Sequence, residues 1–297
     1  MNMAQLRKWS AVGACATLTS VLGVSGVWSP VASAAAKTKK SAIQVPAPYR
    51  KGFSVAMQDA EPPEAYLNSS GTELGISPSL VRAISSVIGT PIHIVPTTFE
   101  NELLGLKAGR YAFVTDTNVT SQREALYDQF AYYYDNYSFI TVKGQPKLGN
   151  AISDLCGKTI GDETGDGAIP FIQAYSTSCS KAGKKAITLT QEPTYSDLLL
   201  SMEGGRLDAV TVPTDTGHYM LTEKANKNLQ MDGPTYNKVL VGMSFPKKSP
   251  LLPVIVAAMK VLVRNGTYKK IMLEYGYGPS LQTTDFAVNR TPLTPTP

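Results

Sequence analysis

Histidine and cysteine are scarce in this chain of 297 residues, with two of the first and three of the second. That scarcity removes whole classes of chemistry. No HExxH, CxxC or GxSxG pattern occurs, so zinc hydrolysis and serine or cysteine nucleophilic catalysis have little to build on. His93 sits in "PIHIVP", an alternating strand-like run, and reads as structural. His218 has no Ser or Cys partner arrangement nearby. No catalytic set, metal ligands or cofactor are expected. A surplus of charge is lacking too. Of the formal net charge of +5, Arg7, Lys8, Lys37, Lys39 and Lys40 supply all five positives, so the chain from Ser41 onward is neutral. A neutral body without a basic patch gives no footing for nucleic acid.

What is present begins with an export signal. Arg7 and Lys8 precede an uncharged run from Trp9 to Ala34 that closes on Ala32-Ser33-Ala34. This is the pattern of a cleaved secretory signal over residues 1–34. Gly23, Gly26, Ser29 and Pro30 dilute its apolarity, which argues against a membrane anchor. Cys15 follows Val12-Gly13-Ala14, loosely a lipid-attachment context, but Arg7 and Lys8 lie too close to leave an apolar core before it. The expectation is a soluble, exported, periplasmic protein, with 35–49 a flexible leader. In an oxidising compartment Cys156 and Cys179 are expected to form a disulfide.

Beyond the leader the chain alternates. "GFSVAM" (52–57) reads as a strand, and "DAEPPEAYLNSSG" (59–71) as a loop. "GISPSLVRAISSVIG" (75–89) reads as a helix that Ser77 can cap, with Leu80, Ile84, Val87 and Ile88 on one face. "IHIVP", "FENELLGLKAG" and "RYAFVT" continue as strand, helix, strand. The rhythm returns at "KTIGDET", "GAIPFIQAYS", "KAITLT", "TYSDLLLSMEGG" and "RLDAVTV". Strands alternating with helices argue for an α/β fold with parallel sheets, here in two units.

Four stretches resemble family 3 of the bacterial solute-binding proteins of ABC importers. They are the helix Gly75–Gly89, the run Phe99–Val114, "MEGGRLDAV" (202–210) and "RNGTYKKIMLEYG" (264–276). The resemblance implies a two-lobed periplasmic-binding-protein-like fold (type II) with a ligand cleft and two crossover segments, near 132–138 and 236–243. Lobe one would comprise 50–134 and 240–288, lobe two 139–237, and 289–297 a tail. It also implies a monomer that binds a small carboxylate-bearing, amino-acid-like ligand and serves a membrane permease.

The same resemblance assigns the site. "TNVTSQRE" (117–124) resembles the family's S-I-T-x-x-R segment, whose arginine holds the ligand's carboxylate. Arg123 is then the anchor, with Thr117 and Asn118 as nearby donors. Guanidinium suits that task because it is planar, always charged and matches a carboxylate in a fork. An ordinary surface pair with Glu124 or Asp128 is the alternative. "GDETGDGAIPF" (161–171) resembles a glycine loop that offers N–H groups to the cleft through Gly165, Asp166 and Gly167. Tyr66 stands two places from the family's cleft aromatic. Pro213 replaces the aspartate that holds an α-ammonium, leaving Asp166 or Asp215 as substitutes; Asp166 could equally cap the following helix. A zwitterionic or amine-bearing carboxylate is therefore expected more than a dianion. The competing function on this fold is a dehydratase of the cyclohexadienyl type, for which Glu163, Asp166 and Glu203 are general-acid candidates by residue type.

Overall fold

The computed structural model describes residues 43–290. The signal, Cys15, and the leader up to residue 42 lie outside the described residues. The rest of the leader belongs to the body: Val45 is buried, and its carbonyl accepts from Arg50 Nε at 3.0 Å.

The chain opens with β1 (Phe53–Gln58) and three short strands, β2 (Ala60–Glu61), β3 (Ala65–Leu67) and β4 (Glu73–Leu74). These last three pair antiparallel, so the stretch around Pro62-Pro63 read as a loop is a small sheet of its own. Then follow α1 (Ile76–Ile88), β5 (Ile92–Thr97), α2 (Phe99–Lys107), β6 (Val114–Asn118) and α3 (Ser121–Leu126). A long strand β7 (Tyr127–Val142) leads to β8 (Thr159–Glu163), α4 (Ile169–Lys181), β9 (Thr188–Glu192), α5 (Tyr195–Glu203), β10 (Ala209–Pro213) and α6 (Thr214–Met220). A second long strand, β11 (Leu229–Pro246), returns to α7 (Leu252–Arg264) and α8 (Thr267–Glu274).

The main sheet runs β5-β1-β6-β11-β7-β10-β8-β9. Both crossover segments expected from the sequence lie within β7 and β11, which pair antiparallel along most of their length. The two lobes are therefore two halves of one continuous eight-stranded sheet rather than two separate sheets. Each half counts five strands because both use a portion of β7 and β11. Within each half the outer strands are parallel, as alternation with helices requires, and β11 runs against the first set while β7 runs against the second.

Amphipathic helices close each half. Leu80, Val81, Ile84 and Ile88 of α1 join Ile255, Met259 and Leu262 of α7 in the core of the first half. Leu198 and Met202 of α5 pack with Ile140, Val210 and Val212 in the second. Ser77 does not cap α1. It lies inside the first turn, fully buried, and its hydroxyl donates to Asp116 at 2.6 Å. Cys156 and Cys179 are bonded, with Cα atoms 5.6 Å apart, tying the approach to β8 to the end of α4. Among the described residues, no helix is long and apolar enough to cross a membrane.

Candidate functional site

The carboxyl ends of β6, β8 and β10 meet at the seam between the halves, where an α/β sheet places ligands. Strand β6 ends at Asn118, and Thr120 caps α3 by accepting from the Arg123 N–H at 3.2 Å. This cap turns Arg123 inward, and only 8% of it is exposed. Its Nη1 donates to the Asn118 carbonyl at 3.1 Å. Its Nη2 crosses the seam to the Gly165 carbonyl at 2.8 Å. The guanidinium lies over the Phe99 ring, 5.0 Å from its centroid. No surface pair with Glu124 or Asp128 forms; Asp128 takes Lys247 instead, at 3.1 Å. Burial lowers the Arg123 pKa, and the charge of Asp166 opposes that shift.

Asp166 faces this arginine from the loop before α4. Its Oδ1 accepts from the Ala168 N–H at 2.6 Å and lies 2.9 Å from the Tyr137 hydroxyl. The same hydroxyl lies 3.0 Å from Asn118 Oδ1, so it bridges the halves. Asp166 thus steadies the entry to α4 and stands at the seam at once. Gly167 is needed for the close approach, because a Cβ there would overlap the Asn118 amide. Gly167→Ala is expected to cost about 1–3 kcal/mol of stability by forcing this contact apart, read as a lower Tm.

A cavity of about 10 Å³ remains at the centre, lined in part by Glu61, Asn118, Asp135, Tyr137 and Asp166. Its three carboxyl groups come from β2, β7 and the loop before α4. Burial pushes Glu61, Asp135 and Asp166 upward in pKa, and neighbouring carboxylates add to the shift of the first two. Glu64, just behind, is pushed up to about 8 by burial, against the hydrogen bond from Tyr277. Among the described residues, eight carboxyl side chains are buried against one buried guanidinium, Arg123. Several sit close to this seam, and one oxygen each of Asp162 and Glu163 has no hydrogen-bond partner.

The structure thus brings together Arg123, Asn118, Gly165, Asp166 and Gly167. Thr117 points to the opposite face of β6, where its hydroxyl meets Ser244 at 2.6 Å, because side chains alternate along a strand. Tyr66 stands outside the central cavity against Tyr219, with ring centroids 5.5 Å apart. Asp215 is partly buried at the start of α6, with its pKa raised by burial and opposed by His218. It does not line the central cavity. Glu203 lies away from the cavity and accepts from Asn228 at 2.8 Å.

Glu61, Glu64, Asp135 and Phe99 were missed from the sequence. An acid inside the aromatic run "YYYDNYS" is a signal for Asp135, whereas Glu61 and Glu64 belong to the stretch 59–71, which reads as a loop from its Pro62-Pro63 pair, and nothing local marks Phe99 at the start of its helix.

Comparison with known proteins gives a consistent picture. The sequence model of the bacterial extracellular solute-binding proteins, family 3, matches residues 53–278. The arginine-binding protein ArgT of Corynebacterium glutamicum is 23% identical over 238 residues, covering 78% of this chain and 76% of that protein. Among solved structures, an ancestral arginine-binding protein bound to glutamine superposes with a TM-score of 0.69 at 22% identity, over 77% of this chain and 100% of that one. A histidine kinase sensor domain similar to periplasmic binding proteins gives a TM-score of 0.68 at 18% identity, over 78% and 98% of the two chains. At such identities the structural likeness speaks for the fold.

Proposed function

The chain belongs to family 3 of the bacterial extracellular solute-binding proteins, and from that premise we propose that its ligand is an amino acid carrying extra positive charge. The observation that carries this reading is the seam itself, where Glu61, Asp135 and Asp166 converge on one cavity beside a single guanidinium. Buried carboxylates are costly unless a cation meets them. A cationic amino acid meets them and gives its own carboxylate to Arg123. Relatives named for arginine binding point the same way.

In this reading the chain is exported through residues 1–34 and acts as a periplasmic monomer. Lobe one (50–134 with 240–288) and lobe two (139–237) close about the ligand by hinge motion within the crossover strands. The closed form is what the permease of an ABC importer recognises. Arg123 sits in lobe one and takes the carboxylate in its fork, giving up the Gly165 carbonyl. Asp166 is favoured over Asp215 for the α-ammonium, because it lines the cavity and Asp215 does not. The family is one of binding proteins, so the dehydratase reading is set aside.

Native mass spectrometry of the purified protein identifies any retained ligand, and calorimetry then ranks a panel. Arginine, lysine or ornithine is expected to bind at least about a hundredfold tighter than glutamate or succinate, given the cost of a second negative charge beside buried carboxylates. A preference for the dicarboxylates overturns the proposal.

A further inference from the structure

Outside the seam lies a second concavity of about 870 Å³. One wall is the small sheet of β2, β3 and β4 from the first half; the other is α5 and α6 from the second. Tyr66 and Tyr219, one from each half, both line it as a packed pair, ring centroids 5.5 Å apart and tilted by 48°. Tyr195, only 3% exposed, also lines it, and its hydroxyl has no hydrogen-bond partner among the described residues. Leu200, at 64% exposure, adds apolar surface to the side of α5. Among the described residues, Asp59, Glu203 and Glu223 are its charged ones, and no lysine, arginine or histidine lines it. Each feature has a bland use alone. Together they make a concave, aromatic-walled, wholly anionic site built half from each lobe.

We propose that this groove is a second binding site, for an organic cation with an apolar body such as an aryl or alkyl ammonium. Tyrosine faces attract a cation through their quadrupole, and that attraction grows where water is displaced. The apolar body covers Leu200, and the carboxylates supply long-range attraction. Because Tyr66 and Tyr219 belong to different halves, an occupant touches both and favours the closed form. Occupancy therefore strengthens amino-acid capture in the cleft, and capture strengthens occupancy equally. This coupling rests on the closure reading given above; the groove itself does not.

The probe is benzyltrimethylammonium, which has a ring and a fixed positive charge but no carboxylate for Arg123. Calorimetry is expected to show binding to the full chain that Tyr219→Ala weakens at least about tenfold while Tyr219→Phe, which keeps the ring, does not. Saturating probe should tighten the amino acid about threefold or more, as coupled sites require. Absence of probe binding at about 10 mM, or equal binding to Tyr219→Ala, overturns the site. Competition between probe and amino acid also overturns it by placing the probe in the cleft. If no amino acid binds yet the probe binds through Tyr219, the groove stands and the cleft reading falls.

Discussion

Arg123→Ala is expected to weaken capture of the proposed amino acid by at least about thirtyfold. The guanidinium is buried, stacked on Phe99 and aimed by the α3 cap, so its geometry is set before the ligand arrives. Losing one partner of a desolvated, bidentate charge pair costs on the order of 2–5 kcal/mol. At about 1.4 kcal/mol per decade, even the lower limit exceeds an order of magnitude in Kd. Arg123→Lys keeps the charge but loses the fork and the stacking, so most of the loss remains. Calorimetry with the ligand identified by mass spectrometry measures both variants. An alanine variant within about threefold of wild type shows that the carboxylate is held elsewhere.

The stability of the ligand-free protein falls as pH rises from about 5 to about 8, the window between the ordinary carboxyl value and that of Glu64. Glu64 accepts from Tyr277 and, at 3.0 Å, from Thr216, yet burial dominates and carries it from 4.5 to about 8. A raised folded-state pKa means the folded protein holds a proton that the unfolded chain has released. The stabilisation is complete below the unfolded pKa and is lost as pH rises through the folded one. Burial pushes Glu61, Asp135 and Asp166 in the same direction. Each retained proton steepens the decline by about 1.4 kcal/mol per pH unit. For a chain of this size that is roughly 2–4 °C of Tm per kcal/mol. Glu64→Gln removes one such group and should flatten the profile, while a cationic amino acid should raise Tm more at pH 8 than at pH 5. Parallel profiles for wild type and Glu64→Gln would show that Glu64 is ionised throughout.

How far the sequence reached differs from element to element. The helices at Ile76–Ile88, Phe99–Lys107 and Tyr195–Glu203 fall within a few residues of where periodicity put them. Each buries one face and has a glycine close after its end, and such signals are local, although Glu102 and Ser201 interrupt the buried faces of α2 and α5. The strand expected at 110–115 is instead Val114–Asn118. Its register answers to β1 and β11, which lie far away in the chain.

The sequence by itself determined the α/β alternation, the family motifs and the cysteine pair, while the placing of Arg123 and Asn118 beside the Gly165–Gly167 loop followed from the family resemblance. These are short-range patterns of residue type, and a cap, a glycine turn or a fork of donors acts within one turn of chain. Only the tertiary structure decided that both crossovers are strands shared by one sheet. It also sent Thr117 to the far face of β6 and Tyr66 to the outer groove. Above all, it set Glu61, Asp135 and Asp166 around one cavity. Those carboxyls are distant in sequence, and nothing local distinguishes a solvated acid from one that folding carries out of water. Burial alone changes its charge and its use.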